Sequence, residues 1–223
     1  MKKAVFTINF GGYDPPRVPY KTKGWDYICL TDNLDLGGDW ELREIDIDYY
    51  LPHIAARYGY INSQKHLPDY DLTLMVGGQI KVDDDVNKFI ARHCDLSKDI
   101  NLMRHPCRTC IYDEARTVVK EKIDKAEHVD RQMAKYRDAG FPKNFGLSAC
   151  GIIIRHNSDN IRRFEENWWR EVQQGSYRDQ LSFDFVRWKM GDELTYHWFP
   201  YDVMFGRFFS VYFHGTERRI GGL

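Results

Sequence analysis

The sequence lacks a long apolar run, and it lacks an excess of charge of either sign. No stretch is long enough to form the roughly 20-residue apolar helix that spans a membrane. The 32 basic residues nearly balance the 33 acidic ones, and the pI is about 6.7. This balance does not favour a general polyanion-binding protein, although a nucleic acid could still bind in a local groove. We therefore expect a protein without a membrane span.

Patterns for disulfides, zinc and dinucleotides are also missing. An odd number of cysteines favours a reducing compartment over a disulfide scaffold, and this chain has five: Cys29, Cys94, Cys107, Cys110 and Cys150. The one CxxC, at residues 107–110, lacks the second pair that a zinc site needs, which favours a structural or coincidental motif. Asn9, Gly11 and Gly12 interrupt the apolar N-terminus without forming a GxGxxG. We interpret the N-terminus as a strand rather than a signal peptide and expect a cytoplasmic protein.

The stretch around which the chain is organised runs from Tyr70 to Asp85. Residues 72–76 form a continuous apolar and β-branched run, which is typical of a strand buried on both faces of a sheet. Gly77 and Gly78 follow it, and a backbone without Cβ atoms permits close approach. Ligands of open α/β sheets collect at the carboxyl ends of the strands. The sequence therefore predicts a binding site around these two glycines.

The remaining patterns predict one α/β domain, because the 223 residues show no repeat, linker or break in composition. Closely spaced early strands with short loops suggest a mononucleotide-binding sheet. The predicted strands are residues 3–10, 25–31, 40–47, 100–104 and about 147–155. The predicted helices are residues 53–67, 86–93 and 112–139, and two more that begin near residues 157 and 178.

Three aspartates, residues 83–85, precede the predicted helix 86–93. Aspartates in this position cap a helix and suit its dipole. They are also ligands for divalent cations, and Asp83 and Asp85 are the candidates here.

The most concentrated polar cluster is residues 176–182, with the sequence SYRDQLS. If it opens a helix, Asp179 and Ser182 share a face that could bind sugar hydroxyls, with Arg178 and Gln180 beside them. The alternative is a capping box in which Ser176 caps the helix. His105 and Arg108 follow a predicted strand end, where a positive group could meet a phosphate.

Read together, several stretches resemble the TOD1/MUCI70 glycosyltransferase-like domain family, whose fold is similar to the GT-A glycosyltransferases. The most specific are HPxRxCxYDEA at residues 105–115 and WWxExxxxSxRDQLSF at residues 168–183. The others are residues 9–14, 25–27, 31–33, 65–68, 70–71, 140–142, 146–147 and Arg155. The resemblance implies a GT-A-like single domain over residues 1–223, with a mostly parallel central sheet flanked by helices.

The resemblance also implies site residues. A nucleotide sugar, UDP-linked, would bind to about residues 1–110, and an acceptor to about residues 111–223. Arg178, Asp179 and Gln180 would form the catalytic group, since Asp179 and Gln180 resemble the Asp-Gln pair that lines the sugar site. His214 resembles a C-terminal histidine that helps to hold metal and diphosphate. Donor-binding candidates are Asn9, Gly11, Tyr13, Asp32, Arg57, Lys65, Gly77, Gly78, His105 and Arg108.

One departure from the family pattern concerns the metal. Where the family has an aspartate that carries a divalent cation such as Mn²⁺ or Mg²⁺, this chain has Gly77. Glycine offers no side-chain ligand, so Asp83, Asp85 and His214 are the remaining candidates. We expect transfer that depends weakly or not at all on a metal.

The expected function is transfer of a sugar to a hydroxyl of a polysaccharide, lipid, protein or modified DNA base. A sugar- or nucleotide-binding module without turnover is the alternative, and Gly77 favours it. A lipid amide hydrolase, an activity described for a member of the resembled family, ranks last, because we find neither a Ser-His-Asp motif nor a zinc signature.

Overall fold

The computed structural model describes residues 1–45, 47 and 51–220. Two sheets contain all the strands of this part of the chain. The strands are β1 (Lys3–Asn9), β2 (Asp26–Thr31), β3 (Glu41–Glu44), β4 (Leu72–Val76), β5 (Ile80–Val82), β6 (Ile100–Arg104), β7 (Ser148–His156), β8 (Tyr196–Phe199), β9 (Phe209–Tyr212) and β10 (Arg219–Ile220). The predicted strand 40–47 is shorter than expected, and residue 46 lies outside the described residues.

The main sheet has seven strands in the order β3-β2-β1-β4-β7-β6-β8. Four of its pairs are parallel: β2 with β3, β1 with β2, β1 with β4, and β6 with β8. Strand β7 is antiparallel to both of its neighbours, with Met75 opposite Ile153. A smaller antiparallel sheet has the order β10-β9-β5. The expectation of a mostly parallel central sheet flanked by helices is confirmed.

Seven α-helices lie in the described residues, and none of them is long and apolar enough to cross a membrane. They are α1 (Pro52–Ile61), α2 (Ser63–His66), α3 (Val86–His93), α4 (Ile111–Lys120), α5 (Ala126–Asp138), α6 (Asp159–Gln174) and α7 (Gln180–Met190). Two short 3₁₀ turns cover Gly191–Glu193 and Tyr201–Phe205.

Two helix predictions were wrong in extent. The predicted helix 112–139 is two helices, and Lys122 between them has φ +53°, a left-handed conformation that ends α4. The Asp124 side chain then accepts a hydrogen bond from the backbone N–H of Lys125 at the start of α5. The predicted helix 53–67 likewise divides into α1 and α2 at Asn62. The apolar spacing continues across the break at Lys122, which is why the pattern did not show it.

The core lies on both faces of the main sheet. All five residues of β4 are buried, as the continuous apolar run predicts. Met75 faces a cluster that contains Trp168 of α6, whereas Leu74 faces a cluster that contains Phe89 of α3. Burying each such large apolar side chain stabilises the fold by about 1.5–3 kcal/mol. The carboxyl end of β4 is therefore a fixed position on which a site can be built.

The partly buried imidazole of His66 makes stability depend on pH. Burial, aided by neighbouring Lys65, lowers the pKa of His66 from 6.5 to about 4. The unfolded chain binds a proton at this residue between those pH values and the folded chain does not, so stability falls as pH drops from 6.5 towards 4. We expect the free energy of unfolding to be lower by about 2 kcal/mol at pH 5 than at pH 7.

Urea unfolding at the two pH values measures this loss, with a His66→Gln variant as the control. The difference between the two proteins isolates the histidine from other titrating groups. Equal pH dependence in both proteins would contradict the assignment.

Candidate functional site

A cavity of about 780 Å³ opens at the carboxyl ends of β1 and β4. Its floor includes Ala149, Cys150 and Gly151 of β7, where the pairing of β7 with β6 shifts register and forms an irregularity. The cavity brings together many of the residues that the sequence predicted. They are Asn9, Gly11, Tyr13, Arg57, Gly77, Gly78, His105, Arg178, Asp179, Gln180 and His214.

The loop after β1 is held by Asp32, which does not line the cavity, and by Asn9, which does. The Asp32 carboxylate accepts hydrogen bonds from the Gly11 backbone N–H, with N···O distances of 2.9 and 3.2 Å. Gly11 has φ +63°, a conformation that favours glycine. Asn9 donates through Nδ2 to the Asp14 carbonyl at 2.5 Å. Asp32 therefore shapes the loop rather than forming part of the cavity surface.

Gly78 permits a close approach of the chain's own loop, whereas the expectation was of a ligand at both glycines. A Cβ on Gly78 would lie 3.0 Å from the Cβ of Asp14 and 3.3 Å from the carbonyl oxygen of Ile8. Gly77 donates its backbone N–H to the Gly151 carbonyl at 2.9 Å, which ties the end of β4 to the cavity floor. Glycine at position 78 thus lets the Asp14 loop pack directly on the strand end.

Asp14, which the sequence analysis placed only within the resembling segment 9–14, is hydrogen-bonded with His214. The distance from His214 Nδ1 to Asp14 Oδ2 is 2.6 Å, and the Gly215 backbone N–H donates to Asp14 Oδ1 at 3.0 Å. Burial opposes ionisation of Asp14, but these hydrogen bonds and the charges of His214 and Arg17 outweigh burial and lower its pKa. No sequence signal could join residues 200 positions apart.

The aspartates at residues 83–85 do not line the cavity. The Asp85 side chain accepts a hydrogen bond from the Lys88 backbone N–H at 3.1 Å and caps α3. Asp83 pairs with Lys81 at 3.3 Å, and Asp84 pairs with Arg207. The capping interpretation of Asp85 is the one that this geometry supports.

The residues at the cavity offer few side-chain ligands for a divalent cation. Gly77 and Gly78 supply no side-chain ligand, and the Asp14–His214 pair offers only two side chains. Within residues 1–45, 47 and 51–220, no three histidine, cysteine, aspartate or glutamate side chains come together as a metal site.

Asp179 lies in the cavity beside two arginines. Its side chain is 6% exposed, and Arg57 Nε of α1 lies 3.7 Å from its Oδ1. Burial opposes the charge of Arg178, but Asp179 and Glu114 outweigh it and raise the pKa of Arg178 above its usual value. The Nε atoms of both arginines are buried without a hydrogen-bond partner among the described residues. Two cations with unused donors thus flank one carboxylate.

The groups around Asp179 are fixed by α7, which begins one residue later. Gln180 donates through Nε2 to the Ser148 carbonyl at 2.9 Å and accepts from Arg178 Nη2 at 3.1 Å. The capping-box interpretation is wrong, because the Ser176 hydroxyl donates to Asp124 at 2.6 Å instead of capping α7. Asp179 itself makes no side-chain cap, so its carboxylate remains at the cavity.

Tyr60 and Cys150 also line the cavity near Asp179. Burial first, and the negative charge of Asp179 second, raise the pKa of the Tyr60 hydroxyl and of the Cys150 thiol well above their usual values. Both groups therefore stay protonated at neutral pH. They can donate hydrogen bonds, but a thiolate nucleophile is not available at Cys150.

Of the two predicted phosphate-binding residues His105 and Arg108, only His105 lines the cavity. His105 lines the cavity, and its Nδ1 accepts backbone N–H groups from Cys107 and Arg108 at 3.2 and 3.0 Å. Burial lowers the pKa of His105. Arg108 is paired with Glu114 at 2.5 Å and does not line the cavity.

The structure also bears on Lys65, a predicted donor-binding residue, and on the CxxC motif. Lys65 does not line the cavity, and its ammonium group donates to the Tyr58 hydroxyl. Cys107 is exposed and Cys110 is buried, and all five cysteines are free. The CxxC therefore forms no disulfide.

Comparisons with known proteins bear on the fold and the family. No curated protein sequence matches the chain. The fold is similar to the apo structure of the bifunctional glycosyltransferase WbbM, with 12% identity, a TM-score of 0.50, and coverage of 82% of this chain and 36% of that one. The glycosyltransferase GlyE of Streptococcus pneumoniae TIGR4 has 14% identity and a lower TM-score of 0.45. That match covers 90% of this chain and 45% of GlyE. The third structure is the galactosyltransferase LgtC, solved with donor and acceptor sugar analogues. It has 10% identity and a TM-score of 0.46, and the match covers 87% of this chain and 72% of LgtC.

The chain thus spans less than half the length of WbbM and of GlyE. The sequence model of the TOD1/MUCI70 glycosyltransferase-like domain family matches residues 67–214, which is more than half of the chain. The matched region includes β4, the cavity floor of β7 and the Arg178–Gln180 segment. The chain therefore belongs to the TOD1/MUCI70 glycosyltransferase-like domain family.

Proposed function

We propose that this chain transfers a sugar from a nucleoside diphosphate sugar, UDP-linked, to an acceptor hydroxyl. The observation that carries the proposal is the buried carboxylate of Asp179 with Arg57 and Arg178 beside it in a cavity at the strand ends. Such a constellation combines a negative group for a developing positive sugar with positive groups for a leaving diphosphate. The family supports glycosyl transfer in general, and the donor, acceptor and turnover are proposals.

The donor binds along the ends of β1 and β4. The nucleoside lies against the loop that follows β1, where Asn9, Gly11 and Tyr13 line the cavity. The diphosphate lies towards Gly77, which lines the cavity at the end of β4. This orientation leaves the sugar next to Asp179.

In the reaction, the bond between the anomeric carbon and the diphosphate oxygen breaks, and a bond to the acceptor oxygen forms. The diphosphate leaves with the electron pair of the broken bond, and its departing oxygen takes the proton of the acceptor hydroxyl. Asp179 orients the sugar and stabilises the oxocarbenium-like charge at the anomeric carbon. Gln180 holds neighbouring hydroxyls, and Arg57 and Arg178 stabilise the charge of the diphosphate.

We propose that transfer depends weakly or not at all on a divalent metal, because Gly77 supplies no side-chain ligand and the Asp14 and His214 side chains bind each other. The charge that a cation would contribute comes instead from Arg57 and Arg178. Thermal shift with UDP, GDP, CDP and their common sugars, each with Mn²⁺ and with EDTA, tests this. A ligand at a hundredfold excess over its Kd stabilises the native state by about 2.7 kcal/mol, which such an experiment detects easily.

We expect one nucleotide to raise the melting temperature, and we expect EDTA to leave that shift unchanged. An Arg57→Ala variant should lose most of the shift, whereas Arg92→Ala, on the exposed face of α3, should keep it. A shift that occurs only with Mn²⁺ would contradict metal independence. No shift with any nucleotide would contradict the donor site.

A binding module without turnover is a second candidate, favoured by Gly77 at the position of the expected acidic residue. Such a module would show the same nucleotide shift. It would release no UDP from a donor sugar, either in water or with an acceptor. Measuring UDP release therefore separates the two functions.

A further inference from the structure

One part of the cavity wall has no role in the donor site described above. It consists of His53, Ile123 and Tyr177, which we call the Tyr177 wall. His53 comes from α1, Ile123 from the turn between α4 and α5, and Tyr177 from the segment before α7. The rings of His53 and Tyr177 meet edge to face with centroids 4.7 Å apart. The wall thus combines a half-buried aromatic ring with an imidazole.

The Tyr177 wall is held in place by Asp124, a residue that no sequence motif identified. The Asp124 side chain is 4% exposed. It accepts hydrogen bonds from the Ser176 hydroxyl at 2.6 Å and from the Tyr177 backbone N–H at 3.1 Å. The Tyr177 hydroxyl donates to the Ile123 carbonyl, so the turn and the segment are joined at both ends of the tyrosine. A wall braced in this way presents a pre-organised surface to a ligand.

The Tyr177 wall adjoins the reacting groups. The guanidinium of Arg57 lies 5.6 Å from the centre of the Tyr177 ring, and its Nε lies 3.7 Å from Asp179. A molecule on this wall therefore reaches the position where Asp179 and Arg57 meet. Burial, and then the charge of Arg57, lower the pKa of His53, so its imidazole can accept a hydrogen bond at neutral pH.

We propose that the Tyr177 wall is the acceptor subsite and that the acceptor is a carbohydrate. The inference rests on the proposed transferase function. An aromatic ring takes the apolar face of a pyranose, and the imidazole and carboxylate bind the hydroxyls at its edge. A nucleic acid acceptor fits less well, because the chain has a net charge of −1 and no excess of basic residues to bind phosphates. Asp124 is then a positioning residue of this subsite.

The experiment measures two reactions of the full chain with UDP-glucose, UDP-galactose and UDP-N-acetylglucosamine. One is UDP release in water, which needs only the donor site. The other is transfer to p-nitrophenyl glycosides of glucose, galactose, mannose and xylose. A serine-containing peptide and a duplex with hydroxymethylated cytosines serve as the other acceptor classes. The variants are Tyr177→Ala, Tyr177→Phe and Asp124→Ala, and Tyr20→Ala, an exposed tyrosine outside the cavity, is the control.

We expect Tyr177→Ala and Asp124→Ala to raise the acceptor KM by about tenfold or more while UDP release in water stays within about twofold. Tyr177→Phe, which keeps the ring, should stay within about threefold of the parent protein in both reactions, as should Tyr20→Ala. Melting temperatures confirm that the variants are folded.

Three results would overturn the inference. Equal loss of both reactions in Tyr177→Ala would place Tyr177 in the donor site, and no change in acceptor KM would remove it from the acceptor site. Transfer by the parent protein to the peptide or the duplex, and to no glycoside, would refute the carbohydrate class. A parent protein that binds none of the nucleotides and releases no UDP would instead refute the proposed function, which is a distinguishable outcome.

Discussion

Replacing Asp179 with asparagine is expected to lower the rate of sugar transfer by about 10³-fold while the protein keeps its fold and its nucleotide. The substitution keeps the size of the side chain and removes its charge, which lies 3.7 Å from Arg57 Nε and is 6% exposed. In so buried a place the loss of a charge that stabilises a developing oxocarbenium ion is poorly compensated by solvent. The backbone of Asp179 accepts the Trp168 Nε1–H at 3.0 Å, and this contact is unaffected.

The measurement is the initial rate of transfer with the donor that gives a thermal shift, together with the shift itself. Asp159→Asn is the matched control, because that carboxylate begins α6 and its side chain is 82% exposed. We expect the control to retain the full rate. If Asp179→Asn transfers at more than about a tenth of the parent rate, the carboxylate does not take part in the chemistry as proposed.

Replacing Arg155 with alanine is expected to destabilise the fold by about 3–5 kcal/mol. Arg155 is completely buried and lies 2.9 Å from Glu165, which is 3% exposed. Burial raises the pKa of Glu165 and lowers that of Arg155, and the partner charge opposes both shifts. Removing the arginine leaves a buried carboxylate with its remaining partners, Ser63 and Gln64. It also removes the donors to the carbonyls of Tyr60 and Ile61 at the end of α1.

Equilibrium unfolding in urea measures this loss. A double variant, Arg155→Met with Glu165→Leu, should recover most of the stability, because replacing both charges with apolar groups leaves no unpaired carboxylate. Arg162→Ala is the matched control, since its pair with Asp159 is exposed on both sides and should contribute less than about 1 kcal/mol. If the free energy of unfolding of Arg155→Ala lies within about 1 kcal/mol of the parent value, Glu165 takes a proton or a new partner at little cost.

Local sequence patterns predicted the strands and helices correctly where hydrophobic periodicity and turn residues agreed. The continuous run 72–76, the two glycines after it and the polar segment 176–182 all lie where such patterns place a site, at the end of β4 and the start of α7. The wrong predictions, of helix extent and of a helix cap, concern features that these patterns do not record. The spacing of apolar residues in 112–139 does not change at Lys122, whose left-handed conformation divides the helix. The position of Ser176 in the sequence suits a helix cap, but its hydroxyl donates a hydrogen bond to Asp124 instead.

What the sequence determined by itself is the class of fold, the candidate position for a site and the lack of an acidic side chain at Gly77, because these depend on side-chain type and on neighbours along the chain. Only the tertiary structure decided which charges meet. Asp14 reaches His214, Arg155 reaches Glu165, and Arg57 reaches Asp179, across separations that no local pattern records. The physical reason is that an ion pair acts over a few ångströms and depends on burial, and both are set by how the strands and helices pack.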